Sequence, residues 1–404
     1  MPSSVQRVLK ALLLAGAVVG LELTFEWIIP DAAWRQLALL AMVNVIAALS
    51  LNVINGMAGQ FSIGHAGFLG IGAYTGAVVA GNLHQSLGAG DTLFQNSFIV
   101  MPAVIVSAGL MAALFGLVVG LPSLRLRGDY LAIVTLGFAE IFRLVIATSS
   151  QGGADQGTFA QMLASLGGQN GYAGPDSAGV PQYAGPFWIF GALVVAVVAA
   201  WRLKFSGWGR ALRALREDEI ATAAVGVDPT RYKVTSFVIS AAGAGVAGGL
   251  LASMRDGNPT VQPDQFSFAT SFDAITMVIL GGSGSVSGAI VGGVLVTFTV
   301  KMIEQLQGLD AIQSLRTVYP SLDLNALRMV VYAAILIGLM ILRPEGIFGE
   351  REVVRRRTAQ RPPGGPPEPI PAKTEAEALE ERPGEVAPGT ALEREQKPVG
   401  RDFE

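Results

Sequence analysis

Long stretches without charge constrain the fold of this chain more than any other feature. Asp, Glu, Lys and Arg are absent from 36–90, 92–124, 177–201, 234–254 and 274–300. A helix needs about 20 apolar residues to cross the hydrocarbon core of a bilayer. Each stretch is therefore long enough for one crossing, and the first for two. The sequence predicts an all-α integral membrane protein.

The apolar runs predict about ten transmembrane helices. They lie near 8–29, 37–54, 66–82, 98–122, 130–148, 187–203, 234–254, 270–283, 286–306 and 326–342. The division between the eighth and ninth spans falls at the glycine-rich run 281–285. An alternative is that 270–284 dips into the membrane and returns to the side from which it came.

The positions of Lys and Arg predict the orientation, because these residues favour the cytoplasmic side of a span. Arg7 and Lys10 place the N-terminus inside. An even number of crossings then brings the basic segment from Arg343 to the same side, with Lys301 in an outer loop. Both termini are predicted to be cytoplasmic in a plasma (inner) membrane protein. The densest basic loop, which falls inside, holds Lys204, Arg210, Arg213, Arg216, Arg231 and Lys233.

Composition changes near residue 350. Residues 350–404 hold 22 of the 59 charged side chains and nine of the 21 prolines, without apolar periodicity. Such a segment cannot bury enough apolar surface to fold alone. We expect a transmembrane domain over 1–349 and a disordered cytosolic tail over 350–404.

A polar, glycine-rich segment interrupts the first charge-free stretch between Gly56 and Gly67. Non-helical backbone at membrane depth is tolerated where protein or a water-filled cavity satisfies it, and broken helices often lie beside a transport path. The alternative is that the small residues only allow close helix packing, and for the single histidine that it is a satisfied structural residue. The residues predicted to line a path are Asn52, Asn55, Gln60, Ser62 and His65.

Two further glycine-rich regions need separate interpretations. The run 280–293 lacks the lysine of a nucleotide-binding loop, so a re-entrant or broken helix explains it better. Gly243, Gly245, Gly248 and Gly249 are typical of close helix packing.

Ionisable residues inside predicted spans are costly and are often kept for a task. Asp273 is one of them. Glu140 and Arg143 lie three residues apart on one helical face and can neutralise each other. A structural pair is the simpler interpretation, and a secondary place on the substrate path is the alternative.

The residue inventory excludes several classes of chemistry. With no cysteine and two histidines, neither a thiolate nor a histidine-rich metal site is expected, and the sequence predicts no cofactor. No Gly-Lys dipeptide is present, so the chain lacks the phosphate-binding loop of an ATP-hydrolysing pump. The chain is predicted not to be an enzyme, and its net charge of −3 gives no indication of nucleic acid.

The basic loop 207–233 contains a second periodic element. Apolar positions recur with a helical period over 210–225, and Gly226 follows as a helix end. A short amphipathic helix of this kind could anchor at the membrane surface or dock into a groove of a cytosolic partner. Composition leaves the two interpretations open.

Five blocks of the chain, in order, resemble the LivM/LivH-type permeases of branched-chain amino-acid ABC importers. The first is LNVINGMAGQFSIGHAGFLGIGAYT at 51–75, and GDYLAIVTLGFAEIFR follows at 128–143. The others are the 207–252 block, the 280–293 glycines and RPEGIFG at 343–349. The GDY and RPEG blocks make the LivM half the better match. The tail beyond 350 is outside the resemblance.

The resemblance implies partners that the chain itself lacks. They are a second, LivH-type permease, two cytosolic ATP-binding subunits and an external solute-binding protein. It also favours the docking interpretation of 207–233 as a coupling helix. Here Glu219 precedes Gly226 by seven residues, which departs from the usual Glu-Ala-Ala-x-x-x-Gly spacing. The candidate ATPase-coupling residues are Arg213, Arg216, Glu217, Glu219 and Gly226.

The function expected from the residues and the resemblance together is that of a permease subunit in an ATP-driven importer working by alternating access. Its substrates are expected to be branched-chain or related small neutral amino acids. One alternative is a permease for urea or short amides of the same family. Another is a stand-alone carrier driven by an ion gradient.

Overall fold

The computed structural model describes residues 24–87, 93–123, 129–149 and 164–307, together with Gly20, Glu22 and residues 334, 337, 338, 341, 346 and 347. The predicted tail 350–404 lies outside these residues. The predicted spans 8–29 and 326–342 lie largely outside them, so the count of ten crossings stays a prediction.

The described residues are helical, joined by loops and short turns. Their β-structure is limited to two isolated bridges, Tyr172 with Val261 and Ala184 with Met254. The helices are α1 (Ala32–Leu51), α2 (His65–Leu87), α3 (Leu93–Ser123), α4 (Asp129–Thr148), α5 (Pro186–Phe205), α6 (Gly207–Glu217), α7 (Glu219–Ala224), α8 (Pro229–Ala252), α9 (Phe268–Gly281) and α10 (Val286–Gln307).

Six helices in the described ranges are long and apolar enough to cross a membrane. They are α1 with the turn that follows it, α2, α3, α4, α5 and α8. α9 and most of α10 form shorter apolar helices. The predicted class, an all-α multi-pass membrane protein, is confirmed.

Small residues bring α2, α3 and α8 into direct backbone contact. A Cβ on Gly72 of α2 would overlap Gly245 of α8, and one on Gly248 would overlap the Leu69 carbonyl. A Cβ on Gly245 would overlap the Ala108 carbonyl of α3. The predicted role of the span-seven glycines in close packing is confirmed, since a larger side chain would separate these helices.

The bundle has two chemically different ends. At one end, the segments 164–185 and 253–267 hydrogen-bond to each other, as where Tyr172 N donates to Val261 O at 2.9 Å. Burial raises the pKa of the Tyr172 hydroxyl, which keeps it neutral. We call this the loop end. The other, here the basic end, holds residues 202–233, and the 24-residue α8 separates the two by about 36 Å.

The helix predicted over 210–225 is two helices. α6 ends at Glu217, and α7 begins at Glu219. Asp218 between them has an extended backbone, and its carboxylate accepts hydrogen bonds from Ile220 N at 2.8 Å and Ala221 N at 3.0 Å. The prediction of one continuous helix was wrong because an aspartate that looks like a solvated charge acts as an N-cap.

Candidate coupling site and cavity

The interruption predicted between Gly56 and Gly67 is a true break in the helix. α1 passes into a π-helical turn, Asn52–Met57, and residues 58–64, the first break, are not helical. The Asn55 side chain closes the break, because its amide donates to Ser62 O at 3.3 Å and its carbonyl accepts from Ser62 N at 3.1 Å. Gly59 has a φ of 67°, a conformation that glycine adopts without strain.

The glycine-rich run 280–293 contains a second break at residues 282–285, between α9 and α10. Gly282 and Gly284 have φ values of 116° and 83°. The Ser285 hydroxyl caps α10 by accepting from Gly288 N at 3.0 Å. The broken-helix interpretation of this run is confirmed, whereas whether α9 crosses the membrane or dips into it stays a prediction.

The π-helical turn that leads into the first break meets the second break through the side chain of Asn52. Its carbonyl accepts from Gly284 N at 2.8 Å, and its amide donates to Ser285 O at 3.0 Å. Asn52 is fully buried. A Cβ on Gly56 would overlap both Asn52 and Gly284, so the turn and the second break touch along their backbones. One buried amide therefore joins segments more than 200 residues apart.

Arg216 of α6 reaches this meeting point from the basic end. Its Nη1 donates to Gly56 O at 2.9 Å. A Cβ built on Gly59 would lie 2.6 Å from the Arg216 Cγ, and one on Gly284 would lie 3.3 Å from Nη1. The Arg216 side chain thus contacts the first break and the second break together. We call Asn52, Gly56, Gly59, Gly284 and Arg216 the junction.

The other candidate coupling residues lie around α6 and α7 without reaching the breaks through any described hydrogen bond. Arg213 donates to Gly209 O and Lys204 O, both at 3.4 Å. Glu219 forms an ion pair with Lys233 of α8. Glu217 is exposed, and Gly226 has a φ of 89° with no atom within 4 Å of the position that a Cβ would take.

The remaining predicted path residues of the first break are also enclosed by protein. Gln60 and Ser62 are buried. The His65 Nε2 lies 3.2 Å from Ser50 Oγ and 3.1 Å from Ala47 O, and the ring is 2% exposed. These contacts are those expected of a satisfied structural histidine, the simpler of its two interpretations.

Glu140 and Arg143 form the predicted pair at the loop end. Arg143 Nε donates to Glu140 Oε2 at 2.8 Å, and its Nη1 donates to Asp264 Oδ1 at 3.0 Å. Glu140 Oε1 also accepts from Phe268 N at 3.1 Å, the first residue of α9. The cluster therefore ties α4 to the 253–267 segment and to the start of α9.

A cavity of about 410 Å³ opens among the described residues between the loop end and the middle of the bundle. Its walls come from α1, α2, α8, the 253–267 segment, α9 and α10. Asn44 and Thr297 line it and also bond each other across α1 and α10, with Asn44 Nδ2 donating at 2.9 Å. Its polar lining includes Gln36, Asn44, Thr270, Asp273, Thr297 and Lys301.

Comparison with known protein families finds one that matches the chain. Residues 34–340 match the family described as branched-chain amino acid transport system / permease component. The chain belongs to this permease family. The match covers most of the chain and confirms the resemblance seen in the sequence motifs.

Individual relatives agree with the family match. The permease is 35% identical over 331 residues to the high-affinity branched-chain amino acid transport system permease protein LivM of Escherichia coli, covering 78% of this chain and 69% of the relative. A probable LivM of Methanocaldococcus jannaschii is 26% identical over 340 residues, 76% of this chain and 91% of the relative. The LivH protein of Escherichia coli is 30% identical over 177 residues, 44% and 51% of the two chains. No solved structure matches the permease.

None of the seven predicted path residues of the permease is among the described residues that line the cavity. Ala47 connects the two sets, because it lines the cavity while its carbonyl contacts His65. The first-break residues thus lie beyond the cavity toward the basic end. Their role in the path stays a prediction.

Two features of the permease could not be predicted from the sequence. The contacts of Arg216 with both breaks had no local signal, because its partners lie far away along the chain. Asp273 stood out as an ionisable residue in a span, but its place in one cavity with Lys301 depends on the packing of α9 on α10.

Proposed function

We propose that the chain is a permease subunit of an ATP-driven importer for branched-chain or related small neutral amino acids. The substrate class follows the names of its LivM relatives. ATP hydrolysis belongs to two separate cytosolic ATP-binding subunits, since this chain has no phosphate-binding loop. A LivH-type permease completes the membrane core, and an external solute-binding protein delivers substrate.

The contact of Arg216 with both breaks carries the proposal. α6 lies at the basic end, which we place in the cytoplasm because Lys and Arg favour that side. A displacement of α6 acts directly on the π-helical turn through the hydrogen bond to Gly56 O, and the Arg216 side chain also lies beside Gly59 of the first break and Gly284 of the second. The junction is therefore a mechanical link between a cytosolic helix and two points where transmembrane helices can bend.

The exposed face of α7 favours docking to a protein partner over anchoring in lipid. The apolar face of α6 is already used, because Leu212 and Leu215 are buried in the bundle. On α7 and just after it, Ile220 is 84% exposed and Val225 is 80% exposed. An apolar knob of this size fits a groove on a partner, and the six-residue α7 offers little apolar area for burial in a membrane surface.

The junction then provides a physical basis for alternating access. ATP-driven closure of the partner subunits moves α6 and α7, and the junction transmits this movement to the π-helical turn and to the start of α10. Asn52, Asn55, Gln60, Ser62 and His65 lie on or beside the first break, where a change in its conformation would open or close a path for solute.

The test is affinity purification of the tagged permease from native membranes with identification of co-purifying chains. We expect wild type to recover a second permease and ATP-binding subunits. Ile220→Glu should lose the ATP-binding subunits selectively, because a charge on the exposed knob opposes burial in an apolar groove. Thr230→Glu is the matched control, since it adds the same charge at an exposed site on α8.

A different result would overturn the proposal. If wild type purifies without any ATP-binding chain and still accumulates leucine in liposomes, in a manner abolished by a protonophore, the permease is an ion-driven carrier. If Ile220→Glu and Thr230→Glu both retain the ATP-binding subunits, α7 is not the docking surface.

A further inference from the structure

α1 and α10 run antiparallel and meet at three levels, because the contact position falls along α10 as it rises along α1. Nearest the loop end, Asn44 Nδ2 donates to Thr297 Oγ1 at 2.9 Å. Farther toward the basic end, a Cβ on Gly293 would lie 2.8 Å from Val45 Cγ2 and 3.0 Å from Val45 Cα. At the last level, Asn52 bonds the backbone of the second break. We call Asn44, Val45, Gly293 and Thr297 the seam.

The seam bounds the cavity on the side that faces the basic end. On α10 the lining residues are Val296, Thr297, Val300 and Lys301, and residues 286–295 do not line it. Beyond that level Gly293 brings the backbone of α10 against Val45, which leaves no gap between the two helices. A path from the cavity toward the basic end between α1 and α10 is therefore closed at the seam.

The contacts of the seam allow it to part at low cost. The Thr297 hydroxyl donates to Gly293 O within α10 at 2.7 Å and accepts from Asn44 with its oxygen. When the helices separate, Thr297 keeps its donor bond inside its own helix, and the Asn44 amide is the group that loses a partner. Asn44 lines the cavity, so water is able to take the place of the lost hydroxyl. Gly293 has no side chain that interlocks with α1.

Both helices of the seam lead into the junction. α1 continues into the π-helical turn, and α10 begins directly after the second break. Arg216 bonds Gly56 O in that turn and lies beside Gly284 of the second break. Asn44 precedes Asn52 by eight residues, about 12 Å along the helix axis. A change of direction at the junction therefore becomes a larger displacement at the seam.

We propose that the seam is the inner gate of the permease. Asn44 and Thr297 hold α1 against α10 while the cavity is closed toward the basic end, and their separation joins the cavity to the first break. The proposal rests on the proposed function and deepens it by assigning the place where alternating access closes the path. Asn44 and Thr297 are positioning residues, since they act by holding the helices together.

Reversible cross-linking tests the gate, because the chain contains no cysteine of its own. Asn44→Cys and Thr297→Cys are introduced together into the complete complex in proteoliposomes and joined with a short bis-methanethiosulfonate. The matched control is Gly109→Cys with Val246→Cys, which joins α3 to α8 where a Cβ on Gly109 would lie 3.1 Å from Val246 Cγ2. Wild-type complex treated with the same reagent controls for thiols in the partner chains.

The cross-link across the seam should lower solute import at least tenfold, because the joined helices cannot part. Reduction should restore import, which shows that the two substitutions leave the fold intact. The cross-link between α3 and α8 should leave import at the wild-type level. Import that survives a cross-link across the seam, with complete joining shown by mass spectrometry, would overturn the gate.

Accessibility of the cavity tests the gate without a cross-link. Ala47→Cys places a thiol in the cavity wall, and in inside-out membrane vesicles a membrane-impermeant thiol reagent reaches it from the basic end only when the gate is open. Thr297→Val removes the acceptor of the Asn44 bond and should speed labelling at least threefold. Thr299→Val, which removes a hydroxyl outside the cavity lining, should not. Equal labelling rates in the two variants would contradict the gate.

Dependence of import on ATP separates this proposal from the proposed function. If the complex with the joined seam imports solute like wild type, and import still requires ATP, the gate assignment fails alone. If import requires no ATP and the cross-link across the seam still abolishes it, the gate stands and the ATP-driven mechanism fails.

Discussion

At the scale of single residues, Asn52 has a structural role that its position in the sequence indicates only in part. A polar residue in a 55-residue uncharged stretch indicates a special site. The structure shows this role, because the side-chain amide group of Asn52 hydrogen-bonds to the backbone of Gly284 and Ser285 on the other side of the bundle. No sequence period links positions 52 and 284, so their meeting depends on tertiary packing.

Asn52→Ala should destabilise the permease. The substitution removes the hydrogen-bond partner that Asn52 gives to Gly284 N, and a buried donor left without a partner costs about 1 to 3 kcal/mol. Ser285 O loses less, because it still accepts from Ala289 N. Thermal unfolding of the detergent-purified protein measures the effect. Gln85→Ala is the control, because Gln85 is exposed and should shift stability by less than about 0.5 kcal/mol. Equal stability of the two variants would show that Asn52 does not hold the breaks together.

Some residue-scale predictions needed only local spacing. Glu140 and Arg143 pair as their three-residue separation predicts, but the third member, Asp264, comes from a segment 121 residues away. Local spacing therefore predicts the pair, whereas the contact with Asp264 depends on the tertiary fold.

At the scale of helices, glycine positions decide which surfaces meet. Gly248 of α8 lies against the Leu69 carbonyl of α2, where a Cβ has no space, whereas Gly191 of α5 has nothing within 4 Å of its Cβ position. The sequence identified the glycines of α8 as packing residues, because four occur within seven positions.

Identical substitutions at these two glycines should have opposite effects. Gly248→Ala should cost about 1 to 3 kcal/mol, because an added methyl group overpacks the α2–α8 contact. Gly191→Ala should be neutral or stabilising by up to about 1 kcal/mol, since alanine favours a helix over glycine. Thermal stability and recovery of monodisperse protein measure both. A Gly248→Ala variant as stable as Gly191→Ala would refute the close packing.

The division of α6 from α7 is the clearest element-scale failure of the sequence analysis. Apolar spacing over 210–225 is helical on both sides of Asp218, so periodicity alone joins them. The cap at Asp218 turns the chain and leaves Ile220 and Val225 exposed. The exposed apolar residues of the proposed docking surface therefore could not be located from the pattern, although the sequence did identify the segment that carries them.

At the scale of the whole molecule, the described bundle places the cavity and the junction at different depths along one axis. The cavity lies toward the loop end and the junction toward the basic end, and α1 and α10 connect them. The all-α membrane class and both helix breaks were predicted from charge-free stretches and glycine runs. The cavity was not, because its lining comes from segments between residues 33 and 301.

Coupling through Arg216 is the central claim, and the solute imported per ATP hydrolysed tests it most directly. The measurement uses the complete complex in proteoliposomes, with Arg216→Ala compared against Arg210→Ala, an exposed arginine on the same helix. We predict that Arg216→Ala keeps stimulated ATP hydrolysis but loses at least tenfold in solute imported per ATP, because α6 no longer acts on the breaks. Arg210→Ala should keep the wild-type ratio. An unchanged ratio for Arg216→Ala would contradict the account.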